Sequence, residues 1–113
     1  MSFERLKQRW SDEKKRREEL SSKRKDLLIH KGNSLFKKYN IQKVILFGSI
    51  VHGRAGISSD IDLLVMPLDN DQYWVFQHEL EEELGLPVDL YTDKDEQSFV
   101  KKIIARGETI YEI

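Results

Sequence analysis

The sequence predicts a small α/β domain in which a mixed β-sheet is packed by helices and preceded by a helical extension. Short apolar runs, rich in β-branched residues, alternate with segments whose apolar residues recur at helical spacing. Glycine, proline and capping residues mark the changes between the two patterns. The chain has 113 residues, which is long enough for one such domain with one hydrophobic core.

The first third of the chain predicts helix over residues 3–39. Phe3, Leu6 and Trp10 form one apolar stripe, but residues 11–19 have no apolar side chain. A helix that is polar all round does not bury itself in a core, so this part should project from the domain.

We therefore predict a charged helical extension over residues 1–24 and a domain over residues 25–113. The domain begins with a core helix at about residues 25–39, in which Gly32-Asn33 either breaks the helix or weakens it. Tyr39-Asn40 ends this helix.

Two strands follow. Residues 44–47 are wholly apolar, as in a strand that is buried on both faces. A single helical turn at 50–52 and a loop at 53–59 are expected next, because glycines and serines cluster there. Residues 60–66 form the second strand, and Pro67 ends it.

The rest of the chain predicts a helix, a strand, a helix and an edge strand. Asp69 or Asn70 caps the first of these helices, and Gly85 follows its last turn. Residues 88–91 form the third strand, and residues 109–113 form the edge strand. Capped by Thr92 or Asp93 and ended by Gly107, the last helix has one apolar face: Phe99, Val100, Ile103, Ile104.

Composition and charge exclude several classes of protein. The chain is 39% hydrophobic and 35% charged, with neither a cysteine nor an apolar run near the ~20 residues that a membrane span needs. It also lacks a secretory signal, so we expect a cytoplasmic protein. Residues 1–40 carry a net charge of +7 and residues 41–113 a net charge of −8. The basic third could dock on an acidic partner, although a solvated helix is the simpler interpretation, and we expect no direct nucleic-acid binding.

Three aspartates interrupt the apolar strands. Asp60 and Asp62 lie on the same side of their strand because side chains alternate, and Ile61 between them points into the core. Asp89 is a lone acid in the third strand. If the two strands are neighbours, three carboxylates converge, and Mg²⁺ is the natural ion to compensate their charges.

Gly48-Ser49 follows the first strand directly. Glycine allows a ligand to approach the backbone, and the N–H groups at the start of a helical turn favour phosphate. The dipeptide is common by itself, but here it precedes Asp60 by a spacer of ten residues.

Gly-Ser, ten residues, Asp-x-Asp and a later strand aspartate resemble the signature of the DNA polymerase β-like nucleotidyltransferase superfamily. The flanking VILFGS and SSDIDLLV, the VDL strand and the GETIYE ending resemble its minimal nucleotidyltransferase (MNT) branch. The resemblance covers about residues 25–113 and implies the polymerase β-like nucleotidyltransferase fold.

The resemblance implies that the chain binds ATP with two Mg²⁺ ions and transfers AMP to a hydroxyl group. In this sequence Ser49 and the Gly48 backbone would hold the β- and γ-phosphates, and Asp60 and Asp62 would bridge both ions. Asp89 would bind the ion nearer the acceptor and help to deprotonate its hydroxyl.

One position departs from the pattern of similar proteins, which often have an arginine three residues after the serine. His52 stands there instead, and Arg54 could supply the missing contact to the triphosphate.

Stand-alone MNT proteins resemble the antitoxins of HEPN–MNT toxin–antitoxin pairs, which add AMP to a tyrosine of the HEPN RNase toxin. We expect this chain to do the same, because its length leaves no second domain to select an acceptor. Two alternatives stay open. The chain could neutralise a toxin by binding alone, with residues 1–24 as the grip, or it could modify a small molecule.

Overall fold

The computed structural model describes residues 3–48 and 61–113, without the side chains of residues 3–7 and 10. Expectations for Ser49, His52, Arg54, Asp60 and the helical turn at 50–52 therefore lie outside the described residues, as does the packing of the Phe3, Leu6 and Trp10 stripe. The described elements follow in chain order: α1 Phe3–Lys38, β1 Lys43–Phe47, β2 Ile61–Met66, a 3₁₀ turn Asn70–Gln72, α2 Tyr73–Leu84, β3 Val88–Thr92, α3 Gln97–Arg106, β4 Glu108–Glu112.

Helix α1 is continuous over 36 residues. It passes through Gly32 without a break. A Cβ atom at this position would lie 2.8 Å from the Phe36 ring, so the glycine makes room for a core side chain on the same helix. Residues 11–19 are all exposed, as their polar sequence predicts, and the first described buried side chain is Ser21. The division between an extension and a domain at residue 24 stays a prediction.

The four strands form one mixed sheet in the order β3-β2-β1-β4. Strand β2 is antiparallel to β1 and parallel to β3, and β4 is antiparallel to β1. This arrangement confirms the predicted fold class. Strands β3 and β4 lie at the two edges among the described elements.

One face of the sheet is covered by α1 and α2. The large cluster on this face combines buried side chains of α1 and α2, such as Leu28, Phe36, Phe76 and Leu80, with inward residues of β1, β2 and β3. Ile61 belongs to it and is fully buried, which confirms its predicted direction.

Helix α3 covers part of the opposite face. Among the described residues, four buried side chains form the cluster there: Ile45, Leu64, Val100, Ile103. Of the predicted apolar face of α3, Val100 and Ile103 are buried, whereas Phe99 and Ile104 are exposed by 37% and 44%. In the part of the chain that the structure describes, the α3 face therefore has the smaller buried cluster.

The start of α3 differs from the predicted caps. Thr92 is paired with Val65 in the sheet, so it cannot cap α3, and Asp93 is not the cap either. Glu96 caps α3, because its side chain accepts hydrogen bonds from the backbone N–H groups of Ser98 and Phe99.

Helix α2 begins at Tyr73, after the 3₁₀ turn, and its cap residue is Gln72. Asp69, one of the two predicted caps, is at the N-cap position of this 3₁₀ turn, although its side chain makes no capping hydrogen bond. Gly85 ends α2 in the left-handed conformation, with a φ of 67°, as predicted.

None of the helices in the described part of the chain combines the length and apolar character that a membrane crossing requires.

Candidate active site

Phe47, Asp62 and Asp89 form one row across three neighbouring strands. In the sheet register Phe47 is opposite Asp62, and Asp62 is opposite Asp89. Register partners point to the same side of a sheet, and neighbouring strands lie about 5 Å apart. The two carboxylates therefore lie next to each other on the α3 face, where Asp62 is half-buried and Asp89 is exposed.

Gly48 places the backbone against the first of these carboxylates. Its φ is +81°, a conformation that L side chains rarely adopt. A Cβ atom at residue 48 would lie 2.2 Å from Oδ2 of Asp62, which is far inside contact distance. Gly48 is therefore required both by its backbone conformation and by its neighbour. The structure brings Gly48, Asp62 and Asp89, three of the predicted site residues, to one end of the sheet.

The other predicted site residues are not in this described group. Ser49, Arg54 and Asp60 lie outside the described residues. So does His52, which stands where similar proteins often have an arginine. In the described ranges no three potential metal ligands of the histidine, cysteine or carboxylate type come together. Asp62 and Asp89 are thus the described members of the predicted metal site.

The chemistry of this donor pair fits a hard divalent cation. Mg²⁺ prefers carboxylate oxygens and commonly uses one or two of them, with water and phosphate oxygens in its remaining positions. The missing Cβ at Gly48 lets the Asp62 carboxylate lie directly against the backbone. Asp62 and Asp89 would hold the ion.

Tyr91 is a site residue that the sequence did not single out. Its hydroxyl donates a hydrogen bond to Oδ2 of Asp89, at 3.2 Å. Burial raises the pKa of Tyr91, and the negative charges of Asp89 and Asp62 raise it further. The hydroxyl consequently stays protonated at neutral pH and remains a donor. Asp89-x-Tyr91 places both side chains on one face of a strand, and this spacing could have signalled the contact.

Three aromatic rings pack together beside Asp89 on the α3 face of the sheet. Tyr91 packs against Phe47 and Phe99, with ring centroids 5.5 and 5.2 Å apart, and Phe47 packs edge-on against Phe99 at 6.2 Å. These rings link β1, β3 and α3. The ring of Tyr91 is thereby fixed, and so is the direction of the hydroxyl that contacts Asp89.

A cavity of about 240 Å³ adjoins the row on the side of β1. Its lining combines two aromatic rings, two glycines, one aliphatic side chain and two cations: Phe47, Phe99, Gly48, Gly107, Ile103, Lys102, Arg106. The cavity therefore lies between the end of β1 and α3, and β2 separates β1 from the strand of Asp89.

Comparison with known proteins agrees with this geometry. Residues 30–113 match the family model described as "Polymerase beta, Nucleotidyltransferase". The match begins within α1 and includes every strand. A curated protein of Methanocaldococcus jannaschii, named "Putative protein adenylyltransferase MJ1379", is 36% identical over 86 residues, which cover 71% of this chain and 86% of that protein.

Two solved structures show similar folds. One is a toxin–antitoxin with AMP-PNP, with a TM-score of 0.65 and 25% identity over 75% of this chain and 73% of that chain. The other is a tri-AMPylated HEPN toxin of Shewanella oneidensis in complex with an MNT antitoxin, with a TM-score of 0.59 and 24% identity over 79% of this chain and 73% of that one.

Proposed function

The chain belongs to the polymerase β nucleotidyltransferase family, and from this premise we propose that it transfers AMP from ATP to a hydroxyl group of a partner protein. One observation carries the proposal: Gly48 lies against the carboxylate of Asp62, and Asp62 is next to Asp89 on the α3 face of the sheet. It combines carboxylates for a metal ion with a bare backbone that a phosphate can approach.

The residues of the row would divide the work along the sheet. The Gly48 backbone, with Ser49 beyond it, would hold the phosphates, and Arg54 is the predicted additional contact. Asp62 and Asp89, together with Asp60, would hold Mg²⁺, which when bound supplies charge stabilisation for the attacking and leaving oxygens. Two ions are expected from the family resemblance.

Asp89 is the residue that we assign to the acceptor. Its carboxylate is exposed, and β3 lies at an edge of the sheet, so a hydroxyl group of a second protein can reach it. Oδ2 is held by the Tyr91 hydroxyl. Asp89 would take the acceptor proton as the new O–P bond forms and the bond to pyrophosphate breaks.

The acceptor that we propose is a tyrosine of a HEPN-type RNase toxin, which would make this chain its antitoxin. Support comes from the relative named as a protein adenylyltransferase and from the toxin–antitoxin with AMP-PNP. The structure with the tri-AMPylated HEPN toxin has the same fold. The exposed charged helix over residues 11–19 favours one further candidate, neutralisation by binding alone, because it offers a surface that the domain does not use.

The test incubates the chain with radiolabelled ATP and Mg²⁺, with and without the HEPN-type protein encoded beside it. Label should appear on a tyrosine of the partner, and mass spectrometry should locate the AMP. Asp62→Asn and Asp89→Asn should each lower the transfer at least about 100-fold, because each removes a carboxylate from the site.

Asp71→Asn is the matched control, since Asp71 is an exposed acid in the 3₁₀ turn before α2. It should transfer AMP like the parent. A complex that forms without any label would refute the transferase and would favour the binding antitoxin. Transfer to a small molecule, with none to the partner, would instead indicate the small-molecule enzyme.

A further inference from the structure

Among the described residues of the second part of the chain, cations without an ion-pair partner are concentrated on α3. Residues 41–113 carry 6 Lys and Arg against 14 Asp and Glu, yet α3 has three cations, Lys101, Lys102 and Arg106, and no acid. Two other cations are neutralised, because Lys43 pairs with Glu112 and Lys94 pairs with Asp69.

In contrast, none of the three α3 cations forms an ion pair with a residue that the structure describes. An acidic region that keeps unpaired cations on one helix has a surface suited to an anion.

Two of these cations line the cavity beside Gly48. Lys102 and Arg106 are four residues apart, so they lie one above the other on the same side of α3. Gly107 brings this end of the helix onto the sheet, because a Cβ atom there would lie 2.4 Å from Cγ2 of Ile45 and 3.0 Å from the carbonyl oxygen of Leu46. The close contact fixes where the two cations stand relative to β1.

The direction of the row shows which part of a nucleotide these cations would meet. Across the sheet Asp89 is on β3, Asp62 is on β2 and Gly48 is at the end of β1, and Gly48 also lines the cavity between β1 and α3. If the acceptor hydroxyl enters at Asp89, the leaving group must point away from it, in line with the attack. The leaving group therefore points toward Lys102 and Arg106.

We propose that Lys102 and Arg106 bind the β- and γ-phosphates of the nucleoside triphosphate and stabilise the departing pyrophosphate. This rests on the proposed function and adds a contact that it lacked. The sequence offers His52 where similar proteins often have an arginine, and the α3 cations supply positive charge at the same end of the substrate. Arginine suits this role because its planar guanidinium donates two parallel hydrogen bonds to phosphate oxygens.

Arg106 lies in the last turn of α3, so a purely structural role of this residue must be separated from the proposed one. A cation in the last turn stabilises a helix through the helix dipole, whatever else it binds. Lys101 is the matched control, since it is exposed and belongs to the same helix but does not line the cavity. A dipole effect changes the melting temperature, whereas a phosphate contact changes the affinity for the triphosphate.

The experiment measures displacement of a fluorescent ATP analogue from the intact chain by ATP, inorganic tripolyphosphate and AMP, with Mg²⁺ present. Lys102→Ala and Arg106→Ala should each weaken ATP and tripolyphosphate roughly fivefold to tenfold, as expected for a charged hydrogen bond at an exposed site. Lys101→Ala should bind both like the parent. AMP, which lacks the outer phosphates, should bind every variant equally.

Unchanged ATP and tripolyphosphate affinity in both variants would overturn the proposal, as would an equal loss in Lys101→Ala or for AMP. Lys102→Gln and Arg106→Gln, with circular dichroism, test the same contacts should an alanine variant unfold. A parent chain that transfers no AMP but binds tripolyphosphate through these two residues would refute the proposed function and leave this inference standing. A parent that binds neither ATP nor tripolyphosphate would overturn the inference as well.

Discussion

The two faces of the sheet are built for different purposes. Toward α1 and α2, the inward residues of β1, β2 and β3 are apolar and belong to a cluster of fifteen buried residues. Toward α3, the buried cluster has four residues, and the next row along the strands contains Asp62 and Asp89. Because side chains alternate in a strand, one short sheet can have an apolar face for stability and an opposite face that carries the carboxylates of the proposed site. Among the described residues, the second face has the smaller buried cluster.

Breaking the α1 and α2 face should have the largest effect on stability. Phe76 is fully buried and packs against Phe36 and Tyr39, with ring centroids 6.3 and 5.1 Å apart. Phe76→Ala should lower the free energy of unfolding by about 3–5 kcal/mol. Val100→Ala, in the small cluster under α3, should cost only about 1.5 kcal/mol. Val65→Ala, at a fully buried valine of the large cluster, is the control for side-chain size and should cost more than Val100→Ala. Urea denaturation measures all three, and equal losses in the two valine variants would contradict the difference between the faces.

Gly48 tests the charged face, with Gly85 as its matched control. Both glycines have a positive φ, 81° and 67°, so an alanine at either position should cost about 1–2 kcal/mol of stability. They differ in their surroundings, because the added Cβ would meet Asp62 at residue 48 and nothing within 4 Å at residue 85.

Gly48→Ala should therefore lower AMP transfer about 100-fold, since displacing a site group by about 1 Å has an effect of this size. Gly85→Ala should keep the parent rate. Thermal melting and the labelled-ATP assay, run on both variants, separate the two effects. A Gly48→Ala variant that transfers AMP as fast as Gly85→Ala would show that the carboxylate of Asp62 is not positioned by the bare backbone.

The sequence was sufficient for the fold because its strands are punctuated clearly. The run at 44–47 and the run that ends at Pro67 have one interpretation each, and the described strands agree with them within a residue. The sequence predicted that Asp62 and Asp89 lie close together only if their two strands are neighbours in the sheet. Parallel pairing of β2 with β3 brought them together, and no local pattern contains that information.

The features that were mispredicted depend on tertiary context. Thr92 and Asp93 are good capping residues by type, but pairing with β2 holds Thr92 in the strand. Helix α3 therefore begins later, at Gln97, with Glu96 as its cap. Gly32 looks like a weak point of α1 until the ring of Phe36 is placed against it. The cavity cations were not predicted because only the packing of Gly107 on β1 brings α3 next to Gly48.

The smallest of these changes is Tyr91→Phe, which removes one oxygen atom. Tyr91→Phe keeps the ring that packs against Phe47 and Phe99 but removes the hydrogen bond to Asp89. Groups that orient a metal ligand typically contribute 10–100-fold to metal affinity, so Mn²⁺ should bind about tenfold more weakly, with little change in stability. Electron paramagnetic resonance measures the free Mn²⁺.

Tyr111→Phe is the control for that substitution, because Tyr111 packs against Phe36 on the other face. It should bind Mn²⁺ like the parent. Both substitutions are compared with the parent at neutral pH. Equal Mn²⁺ affinity in the parent and in Tyr91→Phe would mean that the carboxylate is oriented by the strand alone. In that case the charged face would need no support beyond the register that places Asp62 beside Asp89.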